Sequence, residues 1–204
     1  DARFGTAGFL SPPTSRSMRV LLAPHGTRGD VQPMLALAVG LRARGHDVSF
    51  VAPANSVEWI TSFGFQCFSD GIDVEQLMQG AGTRLQSLRW QMKSLTDILI
   101  PKLFDTVAAA ADAARPAIIV GSGVQMAGTS IAELRGIPSV TAMFAPCTVP
   151  SSDSPPPVVR WQTLPRWLNQ AIWKWGAPFA DRALAGPMNA ARERFGPNEL
   201  PKAR

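Results

Sequence analysis

Two cysteines, two histidines and no apolar run of bilayer-spanning length set the first limits on this 204-residue chain. Cys67 stands on an expected strand and Cys147 in an expected loop, far apart and without metal-ligand spacing. A reduced, cytosolic compartment is therefore the expectation. A membrane-spanning helix needs roughly 20 predominantly apolar residues, and no run approaches that, although 46% hydrophobic residues is ordinary for a globular core. Residues 1–17 lack the basic start and apolar centre of a secretory signal; with Gly5, Gly8, Pro12, Pro13 and three serines they are expected to form a flexible leader. A net charge of +5 with no recognised motif argues against nucleic acid as a partner. The acids do not cluster, so no metal is expected.

The stretch Met18 to Val51 carries most of the information. Met18 to Ala23 is an apolar run of strand length, punctuated by Pro24 and two glycines. Pro33 suits a first helical turn, where a missing N–H costs nothing. Met34, Leu35, Leu37, Ala38 and Leu41 then keep helical spacing, Gly45 is a left-handed helix end, and Asp47 to Ala52 resumes as strand. This is a βαβ unit, which predicts two parallel strands.

Its loop, Gly26-Thr27-Arg28-Gly29-Asp30-Val31-Gln32-Pro33, lacks both the Gly-Lys-Ser/Thr ending of a P-loop and the spacing of a dinucleotide loop. A nucleotide-dependent oxidoreductase is thereby disfavoured. Gly26 and Gly29 are expected to let the backbone bend sharply at the carboxyl end of a strand, where open α/β sheets bind ligands. Asp30 has two readings: a helix cap beginning a helix near Val31, welcomed by the helix dipole, or a reactive carboxylate at the helix mouth.

The run Gly26 to Pro33, followed by Met34-Leu35-Ala36-Leu37-Ala38 and Leu41-Arg42-Ala43-Arg44-Gly45-His46-Asp47-Val48, resembles the amino-terminal start of glycosyltransferase family 1, with its GT-B fold. The loop wording is most similar to sterol glucosyltransferases and to bacterial enzymes that glycosylate glycopeptide antibiotics and other lipophilic natural products. Element order resembles the family from about Met18 to Gly196, while the specific match is confined to Gly26 through Val51.

The resemblance implies direct displacement: a base takes the proton of an acceptor hydroxyl as its oxygen attacks the anomeric carbon of a nucleotide sugar. At the position where many relatives carry a basic histidine, this chain has Asp30, as in the Asp-bearing branch. Gly26, Thr27, Arg28 and Gly29 form the loop facing donor or acceptor. An Asp ordinarily titrates near pH 4, so toward an alcohol it needs positioning and desolvation. Histidine-bearing relatives often orient their base with an acid after the fourth strand; here Gly121-Ser122-Gly123 stands there, and no orienting carboxylate is evident. His25, in the same loop, is the rival base because its ordinary pKa is near neutral, although the family does not use its position. His46 follows the helix-ending Gly45 and suits a turn or a C-terminal dipole role.

Beyond this unit the alternation continues with a short helix at Asn55–Phe63, a strand at Phe65–Phe68, and a helix from Arg84 with Leu85, Leu88, Met92, Leu95 and Leu99 at near-heptad spacing. Pro101 is expected to kink or restart it. An alanine-rich helix over Lys102–Ala114, a buried strand over Pro116–Val120, a helix over Val124–Arg135 and a strand over Ser139–Phe144 follow. The expected fold is α/β, a Rossmann-like doubly wound parallel sheet.

Ala145 to Pro157 has many prolines and no periodicity. It is either a mobile connector or, as the resemblance implies, acceptor-pocket lining, with Phe144, Pro146, Val149 and Met92 as candidate contacts. Trp161, Trp167, Trp173 and Trp175 alternate with Arg160, Arg166 and Lys174. Trp167, Leu168, Ala171, Ile172 and Trp175 share a helical face, which either packs on a protein surface or meets a membrane surface.

A chain of this length holds one domain, and neither a late glycine-rich donor loop nor an acid-glutamine pair is present. The expectation is the acceptor-binding half of an inverting enzyme, either an excised segment, a proteolytic fragment or one subunit of a split enzyme. Its donor, a UDP-sugar co-substrate with no cofactor, would be held mainly by a carboxyl-terminal domain outside the chain, whose helix N-terminus would meet the leaving-group charge. The acceptor would be a lipophilic small molecule, and alone the chain would be inactive. The alternative from another class is a non-catalytic module of the same fold that binds a lipid or a partner.

Overall fold

A computed structural model of the chain describes residues 16–74, 76, 93, 95–123, 125–145, 149–156 and 159–196. The expected leader up to residue 15, the helical segment from Arg84 to Met92, and Pro146 and Cys147 lie outside the described residues.

Five parallel strands form one sheet: β1 (Arg19–Ala23), β2 (Asp47–Ala52), β3 (Gln66–Ser69), β4 (Ile118–Ser122) and β5 (Ser139–Ala142), in the order β3-β2-β1-β4-β5. Between β1 and β2 runs α1 (Arg28–Ala43); a 3₁₀ turn (Ala54–Ser56) and α2 (Val57–Ser62) lead to β3. A π-helical turn (Leu95–Leu99) runs directly into α3 (Ile100–Ala114), with Pro101 in the first turn of α3; where a kink or restart is expected at Pro101, the helix changes from π to α. Next come α4 (Met126–Leu134) and the 28-residue α5 (Arg166–Glu193). The doubly wound α/β fold expected from the alternation is the fold present.

Each strand residue points opposite to its neighbours, and β1 uses this on both faces. Leu21 and Ala23 join Val51, Ile119, Ile100, Leu103, Phe104, Val107 and Ile131 in a core beneath α3 and α4. Val20 and Leu22 join Val48, Phe50, Val31, Met34, Leu35, Ala38 and Ile60 in a second core beneath α1 and α2. Burial on both faces is why β1 reads as a continuous apolar run.

Several boundaries differ from the expected ones. Pairing of Val20 with Ile118 through Ala23 with Gly121, and of Ser122 with Ala142, carries β4 on to Ser122, two residues past its expected end. β5 stops at Ala142, paired with Ser122, because the partner strand ends there; Phe144 is beyond it. Gln66 to Ser69 pairs with Ser49 to Ala52, so β3 lies one residue later than expected. Pro33 is the sixth residue of α1 rather than in its first turn, because the helix begins at Arg28, and it leaves the Gly29 carbonyl without its usual intrahelical donor. The face expected on α5 is only partly packed: Leu168, Ala171 and Ile172 are half-buried, whereas Trp167 and Trp175 are 69% and 75% exposed. The buried stripe is narrower than two indoles would need. Among the described residues, no helix is long and apolar enough to cross a membrane.

Candidate functional site

The strand order reverses between β1 and β4, since β2 and β3 lie on one side and β5 on the other. In open α/β sheets the crevice at the carboxyl ends of two such strands is the usual ligand site. His25 and Gly26 follow β1 there, and Ser122 ends β4 there with Gly123 after it.

The turn out of β1 occurs at Gly26, whose φ of 126° favours glycine. Gly29, expected to share the bending, is instead an ordinary residue of the first turn of α1. The N-cap is Thr27, so Asp30 is the third helical residue and not the cap that spacing alone allows. The Asp30 carboxylate folds back on the loop: the Thr27 backbone N–H donates to Oδ2 at 2.9 Å, and the Thr27 hydroxyl lies 3.4 Å away. In return the Asp30 N–H donates to the Thr27 carbonyl at 2.9 Å. The Thr27 N–H to Oδ2 bond is the capping-box arm from the third helical residue back to the cap, and the helix N-terminus favours the negative charge. Oδ2 is thereby engaged, and no protein partner for Oδ1 is present among the described residues. Asp30 is half-buried, so Oδ1 can meet a hydroxyl of a ligand in the crevice.

His25 is in a different situation. It is only 5% exposed; its backbone N–H donates to the Ser122 hydroxyl, and that hydroxyl donates to the His25 carbonyl, both at 3.0 Å. Its Nδ1 lies 3.0 Å from Asp70 Oδ2, and Asp70 is 1% exposed. In this contact an ionised Asp70 accepts and Nδ1–H of His25 donates. Asp70 Oδ1 in turn accepts the Ile72 N–H at 2.8 Å. An orienting acid is therefore present, after β3 rather than after β4, and it orients His25 rather than Asp30. Sequence reasoning missed Asp70; the signal available was an acid directly following a strand on the ligand-binding edge.

Other expected residues are placed as follows. Arg28 lies with its guanidinium 5.0 Å from the Trp59 ring centroid, and together with Asn55 and Ser56 the two line a shallow depression of about 250 Å³ beside the helix mouth. A larger open concavity of about 520 Å³, lined by Arg16 to Arg19, Asp47 and Ala117, is at the opposite, amino edge of the sheet and has no bearing on Asp30. Phe144 and Val149 are 38% and 48% exposed, and Met92 and Pro146 lie outside the described residues. His46 accepts the Met18 N–H at 3.3 Å, far from the crevice. Cys67 on β3 is half-buried, and burial, reinforced by the Asp70 charge, pushes its thiol up to about 12. Among the described residues no three His, Cys, Asp or Glu side chains gather as a metal site.

The segment after β5 is partly pinned. Asn169 of α5 donates to the Ser152 carbonyl at 3.0 Å, the Trp173 indole N–H donates to the Ser154 carbonyl at 2.9 Å, and Arg166 pairs with Asp153 at 2.7 Å. The described part of this loop is therefore tied to one face of α5 rather than free.

Residues 20–151 match the model described as glycosyltransferase family 28 N-terminal domain. The chain is 31% identical over 181 residues to vancomycin aglycone glucosyltransferase from Amycolatopsis orientalis, covering 88% of this chain and 44% of that protein. It is 32% identical over 137 residues to sterol 3-beta-glucosyltransferase from Debaryomyces hansenii, covering 66% of this chain and 9% of that protein. Among solved structures, the glycosyltransferase SnogD from Streptomyces nogalater superposes with a TM-score of 0.59 at 20% identity, covering 92% of this chain and 43% of that one, which bears on the fold alone. The relatives are of the two kinds that the Gly26–Pro33 loop resembles, and the chain spans less than half their length. The chain belongs to the glycosyltransferase family 28 N-terminal domain family.

Proposed function

We propose that this domain is the acceptor-binding half of an inverting glycosyltransferase of GT-B fold, with Asp30 as general base. The observation that carries this reading is the held carboxylate: Thr27 fixes Oδ2 of a half-buried Asp30 in the loop that leaves β1 at the switch point, and Oδ1 has no partner among the described residues. In the reaction, Oδ1 takes the proton of the acceptor hydroxyl as its oxygen forms a bond to the anomeric carbon. The bond from that carbon to the nucleotide phosphate oxygen breaks, and its electron pair leaves with the nucleoside diphosphate. Inversion follows from attack opposite the leaving group. Placement replaces basicity here, since an oriented base contributes about 10² to 10⁴-fold.

The donor in this reading is a UDP-hexose held mainly by a carboxyl-terminal domain, and no further cofactor is needed. The acceptor is a lipophilic alcohol such as a sterol, glycolipid or natural-product aglycone, a proposal supported by the relatives named for a sterol and for an antibiotic aglycone. Phe144 and Val149, exposed after β5, are its proposed apolar contacts. Trp161, Trp167 and Trp175, at 68%, 69% and 75% exposure beside Arg160, Arg166 and Lys174, supply a surface by which a cytoplasmic enzyme meets the membrane holding such an acceptor.

The test is sugar transfer from UDP-glucose and a panel of other nucleotide sugars to a panel of sterols and aglycones, using the protein as its gene encodes it and its Asp30→Asn variant. Loss of about 10²-fold or more in kcat is expected. Transfer surviving the substitution would remove Asp30 as base, and no transfer from any donor would favour a module that binds without reacting.

A further inference from the structure

We infer that His25 and Asp70 are positioning residues that hold the Asp30 loop in register; this rests on the reading of Asp30 as base. His25 is the last buried residue before the chain turns, and it is held at three points. Its ring is fixed through Nδ1 to Asp70, and its N–H and carbonyl are both fixed to the Ser122 hydroxyl. Asp70 is itself held by Ile72, and its own N–H donates to the Ala52 carbonyl at 3.0 Å. The residue before Gly26 is therefore locked to the ends of β2, β3 and β4 together.

The lock reaches Asp30 over a short covalent path. Gly26 turns at φ 126°, Thr27 follows with its N–H aimed at Asp30 Oδ2, and Asp30 sits in the first turn. A rotation at His25 would swing that N–H and with it the carboxylate. Misplacement of a reacting group by about 1 Å can cost on the order of 10²-fold in rate.

Stability alone is a weak reason for such a pair. Burying a carboxylate costs desolvation that its partner repays only with good geometry, and apolar replacements of buried ionic groups with their partners are often neutral. What the pair adds is direction: a ring bonded to a fixed carboxylate has one orientation, whereas an apolar side chain at position 25 would leave the turn to packing alone. His25 is assigned no proton transfer. Its Nδ1 is committed to Asp70, and the carboxylate at the helix mouth is Asp30.

The experiment uses the protein as its gene encodes it, with His25→Leu, His25→Gln, Asp70→Asn and Asp30→Asn. His25→Leu is expected to lower kcat by about 10 to 10²-fold with the donor KM little changed. His25→Gln keeps an N–H donor toward Asp70 and should recover most of that loss, as neither a bulk packing role nor a basic imidazole would allow. Hydrogen exchange gives a second readout independent of activity. The amides of Thr27, Asp30 and Val31 should exchange faster in His25→Leu and Asp70→Asn, while those of β1 and β4 are unchanged.

Unaltered kcat and unaltered loop exchange in His25→Leu would overturn the inference. So would a His25→Gln variant as slow as His25→Leu, because the imidazole itself would then be needed. If Asp30→Asn loses transfer while His25→Leu keeps it, only the clamp fails. If Asp30→Asn keeps transfer while loop exchange quickens in His25→Leu, the clamp stands and the base lies elsewhere.

Discussion

The Asp30 carboxylate occupies the space that a side chain on Gly26 would need: a Cβ built there would fall 2.8 Å from Asp30 Cγ and nearer still to Oδ2. The bare turn and the folded-back acid require each other. Gly26→Ala would meet two obstacles at once, the positive φ and the carboxylate. A non-glycine residue in such a conformation costs on the order of 1–3 kcal/mol. Urea unfolding should show a loss of that size, and sugar transfer should fall further than stability does, because the alanine displaces Asp30. Full transfer in Gly26→Ala would mean that the seen position of Asp30 is not the working one.

Cys67 should be inert until the chain unfolds. Its thiol is raised from 9.0 to about 12, by burial first and by the neighbouring Asp70 charge second. The thiolate is the nucleophile, so alkylation at pH 8.5 should be slow in the native chain and rapid in denaturant, read by mass spectrometry of the Cys67 peptide. Because the folded pKa lies above the unfolded one, this thiol's contribution to stability is intact below pH 9 and is lost as pH rises toward about 12. Asp70→Asn removes only the smaller cause, so the thiol should remain largely protected. Rapid native alkylation would place Cys67 in a more open setting.

The end of α5 offers a test of how the helix docks. Arg192 is 1% exposed yet bonds through Nη1 to Glu133 Oε2 of α4 at 3.0 Å. Glu133 itself is half-exposed, which screens part of the attraction. Glu133→Ala leaves a buried guanidinium short of a carboxylate, and a loss of about 1–3 kcal/mol in urea unfolding is expected. Glu133→Gln, which keeps an acceptor oxygen, should lose less. Equal losses would put the weight on helix α4 rather than on the pair.

These cases also mark what the sequence reveals and what it does not. The apolar run Val20, Leu21, Leu22, Ala23 is enough to give the first strand, which the structure buries on both faces, and Gly45 marks a helix end that the structure confirms by its positive φ. The place of Asp30 at the mouth of α1 was legible because its neighbours are consecutive in the chain. Asp70 was not: it meets His25 from 45 residues away, and no local period encodes that contact. Strand ends were blurred for a related reason, since Ser122 belongs to β4 only because Ala142 pairs with it. The start of α1 moved because Thr27, rather than the more favoured Asp30, takes the cap, leaving Pro33 deeper in the helix.

The pinned loop after β5 yields the last prediction. Its residues 152 to 154 have no regular partner strand, yet α5 presents Arg166, Asn169 and Trp173 at spacings of three and four, which place them on one face. Asn169 is the centre of this contact: it is 1% exposed and its amide donates to both the Ser152 and Leu164 carbonyls. Asn169→Leu would remove the amide donor from both carbonyls in a partly buried setting, at about 1–3 kcal/mol for each group left unsatisfied. The outer Arg166–Asp153 pair is exposed on both sides and should contribute little, since such pairs are worth about 0–1 kcal/mol. Limited proteolysis should therefore cut near residues 151 to 156 much faster in Asn169→Leu, moderately faster in Trp173→Phe and hardly faster in Arg166→Gln. The reverse order would mean that charge at the surface, and not the buried amide, holds the loop against the helix.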